Sequence, residues 1–228
     1  MKTMNDRPQT AFCFLPSAFR PLLSAFYFLL FAFLTSCTTP TPTVPAETIT
    51  AYATASAQSW MDELFACANQ QNILIKVTAE NPDIFLRIGE PEALVSPAYQ
   101  IGEDEILVMV NRESPIQNLT LPEVQGLFAG QGDAAVWVYA SGVDSQWVFD
   151  QAVMEGRSVT SFARVATSLQ EMSDTLNSDP SAIGILPKHW AAGNLRAVYS
   201  VGVFPVLAIT NGEPQGAART VLGCLHSK

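Results

Sequence analysis

Glu105–Gly130 reads EILVMVNRESPIQNLTLPEVQGLFAG, a strand signal followed by a helix signal. Glu105–Asn111 is a near-continuous apolar run, the pattern of a strand buried on both faces, and it predicts a strand inside a parallel sheet. Thr120-Leu121-Pro122-Glu123 is a capping box with proline in the first turn. Val124 to Phe128 carry the apolar stripe of the helix that follows, and Gly130 ends it. Strand, short loop and capped helix in this order are the unit from which α/β sheets are built.

The same alternation extends on both sides. Upstream, Thr48–Tyr52 alternates and is β-branched, and Ala53–Ala57 is a small-residue turn. Trp60, Met61, Leu64, Phe65 and Ala68 then follow helical spacing through Gln58–Asn69. Ile73–Val77 and Ile84–Ile88 are predicted strands. Downstream, Ala135–Tyr139 reads as a strand, Ala140–Ser145 as a turn, and Gln146–Met154 and Ala163–Leu176 as helices. Ile183–Leu186, Ala197–Ser200 and Phe204–Thr210 are further strands, and Ala217–Leu225 is a last helix. There is no internal repeat. The pattern predicts an α/β fold with parallel sheets.

Composition separates the chain into an apolar leader and an acidic remainder. Of its 228 residues 48% are hydrophobic and 14% charged, with a formal net charge of −9. Lys2, Arg7 and Arg20 make a positive leader, and Pro21–Ser36 (PLLSAFYFLLFAFLTS) is an uncharged, largely apolar run of 16 residues. The run is shorter than the roughly 20 residues of a spanning helix and fits the core of an export signal. It ends in Leu34-Thr35-Ser36-Cys37, which resembles the bacterial lipobox. That resemblance implies cleavage before Cys37 and lipidation of its thiol, with residues 1–36 removed and the protein held on the extracytoplasmic face of a membrane. Left uncleaved, the same run reads as a signal anchor. Thr38–Glu47 (TTPTPTVPAE) is an extended Thr/Pro tether, so residues 37–47 read as a spacer before a domain at 48–228. Without residues 1–36 the chain keeps 9 basic and 20 acidic residues, a formal net charge of −11. No basic patch is left to neutralise phosphates, which argues against electrostatic binding to nucleic acid or anionic lipid. No second apolar run approaches the length of a span, which excludes a multi-pass membrane protein.

Cys13 lies in the leader and Cys37 is the lipidation site, leaving Cys67 and Cys224. An exported domain sits in an oxidising compartment, where an even pair bridges, so a Cys67–Cys224 disulfide is expected, with two buried free thiols as the alternative.

Three stretches resemble phosphate-type periplasmic solute-binding proteins. Asn111–Gly130 is similar to the point where that family's first crossover strand ends and an "N-L-[ST]-x-x-[EQ]" helix follows. Tyr139–Phe149 (YASGVDSQWVF) resembles its "S-G-T…F" anion loop. Asp179–Leu186 (DPSAIGIL) resembles its "D-P-[GS]-A-I-G-Y" strand. The resemblance implies a two-lobed, type II periplasmic-binding-protein-like α/β fold that closes on a solute. Lobe I would be about 48–107 with 202–228, and lobe II about 108–201. It also implies delivery to an ABC transporter permease, with no catalysis and no cofactor.

In such a fold, strand-to-helix turns aim backbone N–H groups at the cleft, and small hydroxylic residues let the backbone approach an anion. The candidates are Thr54 and Ser56 in lobe I and Ser141, Gly142 and Ser145 in lobe II. Asp83 precedes the third strand as in the family's "A-D-I", where the Asp accepts a proton from the oxyanion; it reads equally as a turn residue. The departures are specific. Only Thr78–Asp83 stands where the family has a Gly-Ser-Gly loop and a helix, so the first lobe is reduced. Trp137 stands at the position of the phosphate-contacting Arg, and Val143 replaces the Thr. Phosphate specificity therefore does not carry over. His189 and His226 belong to no metal-spaced cluster, and Ser141 lies in no G-x-S-x-G elbow. Two functions are expected: an anchored binding protein for a small anionic or polar solute, or a structural or sensory lipoprotein that has lost its pocket and binds a protein partner.

Overall fold

The computed structural model describes residues 46–226, so the leader, Cys37 and nearly all of the tether lie outside the described residues. Among the described residues eight strands form one sheet: β1 (Glu47–Ala53), β2 (Ile73–Val77), β3 (Ile84–Ile88), β4 (Ala98–Asn111), β5 (Ala135–Tyr139), β6 (Arg164–Ala166), β7 (Ala182–Pro187) and β8 (Leu195–Ile209). Five α-helices pack on it: α1 (Trp60–Gln70), α2 (Leu121–Phe128), α3 (Asp144–Phe149), α4 (Leu169–Ser178) and α5 (Gly216–His226). The strand order is β2-β1-β3-β8-β4-β7-β5-β6.

β4 and β8 are the two long strands, and they pair with each other from Ala98↔Ile209 to Asn111↔Leu195. Each runs through both halves of the sheet, so the hydrophobic side chains divide between two cores. Ile49, Ile84, Leu86, Ile106 and Val206 pack with Met61 and Leu64 of α1 and Val221 of α5. Leu107, Val108, Val110, Ile183 and Ile185 pack with Phe128, Phe149 and Leu176. The change of core falls between consecutive residues of β4, Ile106 and Leu107. These are the two lobes. β2 passes to β3 through Thr78–Asp83 without a helix.

Three sequence expectations are corrected. Glu105–Asn111 runs antiparallel to both of its neighbours, β7 and β8, so the sheet is mixed rather than parallel. Its apolar run records burial at the centre of a covered sheet, and burial carries no information about strand direction. Ala163–Leu176 is not one helix: Arg164–Ala166 pairs with β5 as an edge strand, and α4 starts only after Ser168. Ser168 is extended, and its hydroxyl accepts from Glu171 N at 3.0 Å, which caps the helix and forbids an earlier start. Ala197–Ser200 and Phe204–Thr210 join into β8 across Gly202, whose φ of 148° suits glycine. Pro205 does not break the strand, because its carbonyl still accepts from Gly89 N at 2.8 Å.

The capping box at Thr120 forms: its backbone N–H donates to the Glu123 carboxylate at 2.7 Å. Cys67 on α1 and Cys224 on α5 are joined in a disulfide with a Cα–Cα distance of 5.8 Å, as cysteine usage predicts. Both partners lie on lobe I. Among the described residues, no helix is long and apolar enough to cross a membrane.

Candidate functional site: the cleft between the lobes

Lobe I contributes the turn after β1 and the end of β3, and lobe II the turn after β5. The β1 turn is set by its own backbone: Thr54 N donates to Leu86 O at 3.0 Å and Ala57 N to Thr54 O at 3.1 Å. The β5 turn closes through Val143 N to Ala140 O at 3.0 Å, and Tyr139 N donates to the Gln146 side-chain oxygen at 2.9 Å. Small residues keep both turns narrow, so they meet.

Where they meet, lobe bonds to lobe. The Asp144 carboxylate, at the start of α3, accepts from the Thr54 hydroxyl at 2.5 Å and from Ile88 N–H at 2.9 Å through the same oxygen. Its other oxygen accepts from Ser145 N–H at 3.2 Å. Next to it, Ser145 donates to Ser56 Oγ from its hydroxyl at 2.5 Å and from its backbone N–H at 3.3 Å. Ser56 and Ser145 are fully buried. Val148 of α3 packs into the lobe I core while its neighbour Phe149 packs into that of lobe II. A Cβ on Gly89 would lie 2.9 Å from Val148, and its φ of +76° also favours glycine, so only glycine allows α3 this close.

Beside this junction is a cavity of about 440 Å³, lined by Thr54, Phe85, Arg87, Ser141, Gly142 and Trp147, with Glu92 and Asp144 also on its wall. Arg87 is its cation. The guanidinium is half-buried, donates from Nε to Gly89 O at 3.0 Å, and lies 5.6 Å from the centroid of the Trp147 ring. Desolvation lowers its pKa and the Asp144 charge opposes that shift. A larger cavity of about 630 Å³ lies beside β4, between Trp60, Gly102, Asp104 and His189, and holds none of the expected site residues. There His189 Nδ1 meets the Asp104 carboxylate, and Lys188 pairs with Glu105 at 2.9 Å, fastening the end of β7 to β4.

Of the residues expected in a site, Thr54, Ser141 and Gly142 line the cleft cavity, while Ser56 and Ser145 come together but spend their hydroxyls on each other. Asp83 does not reach the cleft. Its carboxylate accepts from Thr50 N and Thr50 Oγ1, both at 2.7 Å, and pins the entry of β3 to the middle of β1, while the cleft lies at the exits of those strands. The turn reading of Asp83 is the one its hydrogen bonds satisfy. Trp137, at the family's arginine position, lies on β5 with the Arg164 guanidinium 5.6 Å from its ring and takes no part in the cavity lining. Sequence reading missed Arg87 and Asp144. The single charge in the apolar run Ile84–Ile88 was the available signal for the first. For the second it was an acid placed directly after Ser141-Gly142-Val143.

Two α/β lobes on one mixed sheet, joined by two crossover strands, define the type II periplasmic-binding-protein-like fold. Solved structures of that fold superpose on this chain. A substrate-binding protein assigned to phosphate ABC transport in Clostridium perfringens, solved with bound phosphate, aligns with TM-score 0.71 and 12% identity, over 78% of this chain and 93% of that one. A phosphate transport receptor from Vibrio cholerae aligns with TM-score 0.61 and 17% identity, covering 79% and 93%. The regulatory domain of CcmR from Synechocystis, in complex with 2-PG, aligns with TM-score 0.62 and 14% identity, covering 79% and 95%. The chain matches no protein-family model and no curated protein by sequence. Fold is therefore what these likenesses establish, and it is shared by transport receptors and regulatory domains alike.

Proposed function

We propose that this chain is a lipid-anchored, extracytoplasmic solute-binding protein that holds a small polar or anionic solute between its lobes and performs no chemistry. The observation that carries the reading is the cleft cavity, lined from both lobes and containing one half-buried guanidinium, Arg87. Arg87 offers charge-assisted hydrogen bonds to an anionic group, the Ser141 hydroxyl adds a donor, and Phe85 and Trp147 offer apolar walls. The mature chain is strongly acidic, so recognition of an anion relies on this local group against the overall field. Likeness in fold to phosphate transport receptors supports the same reading, with a permease as the receiving partner. Anchoring rests on Leu34–Cys37; Cys37→Ala abolishes acylation, and unchanged lipid labelling overturns it.

A thermal-shift screen of oxyanions and small metabolites on the full-length protein tests the binding role. A true ligand at a hundredfold excess over Kd stabilises the fold by about 2.7 kcal/mol. The second reading, a domain without a usable pocket that binds a protein partner, is favoured by one observation: the hydroxyls of Thr54 and Ser145 are already bonded lobe to lobe. No shift with any solute selects it.

A further inference from the structure

Asp144 stands where two lobes converge their donors. It is 3% exposed, and one oxygen takes the Thr54 hydroxyl and the Ile88 amide, both from lobe I, although the residue belongs to lobe II. Buried carboxylates persist only when such donors surround them. To a hydroxyl and an N–H group, a carboxylate and the oxyanion of a solute offer the same thing: negatively charged oxygen at hydrogen-bond distance. Thr54 is one of the donors expected to bind solute.

We propose that Asp144 is a tethered anion, filling from within the chain the donor seat formed by Thr54 and Ile88 and so excluding small free oxyanions. The resident carboxylate is attached to the wall of its own site. Even a flexible tether gives an effective concentration in the mM range, so a free oxyanion below that level does not displace it. Its charge also repels any dianion approaching the rest of the cavity, whose lining includes a second carboxylate, Glu92, as well as Arg87. The proposal rests on the reading of the cleft as the binding site and narrows it. The solute is not a phosphate or sulfate ion but a larger polar molecule whose anionic group reaches Arg87 alongside Asp144. Asp144 is then the residue that sets specificity, and it keeps the lobes closed in the absence of solute.

The test uses the full-length protein in detergent, with inorganic phosphate and sulfate as probes and chloride of matched ionic strength as control. Asp144→Ala vacates the seat. Its melting temperature is expected to rise saturably with phosphate or sulfate, by roughly 5–10 °C at a hundredfold excess over Kd, while the wild type responds as it does to chloride. Adding Thr54→Val to Asp144→Ala removes a donor and is expected to weaken the response at least tenfold in concentration. If Asp144→Ala does not fold unaided, refolding yield from urea is read instead, and phosphate is expected to raise it above the chloride control. Asp144→Ser, which keeps a hydroxyl acceptor, is measured in parallel and is expected to respond in the same direction. Variants indifferent to phosphate and sulfate overturn the proposal, as does a wild type that binds them as tightly as Asp144→Ala. The solute screen on the wild type fails or succeeds separately. Rescue of the variants with no wild-type ligand means a sealed cleft, and a wild-type ligand without rescue means that the Asp144 seat is not an anion site.

Discussion

Removing the Cys67–Cys224 bridge tests how much of this domain's stability depends on one covalent link. The partners are separated by 157 positions, and all of lobe II lies on the chain between them. A closed loop of that length restricts the unfolded chain by about 5 kcal/mol in the chain-entropy model, a ceiling that native strain reduces. Cys67 is fully buried on α1, so replacing both cysteines with alanine also removes part of the contact between α1 and α5. With a urea m-value of roughly 2 kcal/mol per M for a domain of this size, the double variant unfolds at a midpoint lower by about 2 M. The assay is urea unfolding followed by tryptophan fluorescence, with Trp60 reporting on lobe I and Trp137 and Trp190 on lobe II. Oxidised protein, reduced protein and the double variant are compared. The slope is also expected to rise on reduction, because the uncrosslinked unfolded chain exposes more surface. An unchanged midpoint after reduction confirmed by thiol labelling would refute the reasoning.

Two further perturbations probe β4 and lobe II. At Gly102, a Cβ would lie 2.0 Å from the Trp60 ring, so Gly102→Ala is expected to cost about 1–3 kcal/mol by overpacking, with Trp60→Leu recovering part of it in a double-mutant cycle. An alanine variant as stable as the wild type would contradict that packing. Asp150 is half-buried, and desolvation raises its pKa although Gln146 donates to it at 2.8 Å. A raised folded-state pKa favours the protonated group, so this contribution is complete below its ordinary value near 3.8 and is lost as pH rises through the folded value. Asp150→Asn, which keeps the acceptor without the charge, is therefore expected to be more stable than the wild type at pH 7 and equal to it near pH 3. A variant less stable at pH 7 would show that the charge is needed there.

Much of the fold is legible in the sequence. Ile73–Val77, Ile84–Ile88 and Ala135–Tyr139 are strands at the predicted bounds, and α2 begins directly after Thr120. These features are local: period-two and helical patterns, a capping box and a proline act within a few residues. The errors have one source. The direction of β4, the pairing of Arg164–Ala166 and the continuity of β8 depend on partners elsewhere in the chain. The site divides in the same way. Thr54, Ser141 and Gly142 were legible because narrow turns demand small residues. For Asp83 the sequence leaves a ligand contact and a turn role equally open, because a motif position does not tell which end of a strand faces the cleft; its bonds to Thr50 select the turn.

By itself the sequence determined an acidic α/β domain, the positions of most of its elements, the Cys67–Cys224 pair and two hydroxyl-bearing turns. Local propensity and composition are sufficient for these, except that the cysteine pair also needed the export reading of residues 1–37. Only the tertiary structure decided what the turns do. Asp144 and Thr54 are 90 positions apart, and Asp144 and Ile88 are 56 apart. Hydrogen bonds over such separations exist because the two crossover strands bring the lobes face to face, and no local pattern encodes them. That closure turned expected solute donors into lobe-to-lobe bonds, and it placed Arg87 and Asp144 together in a cavity lined by both turns.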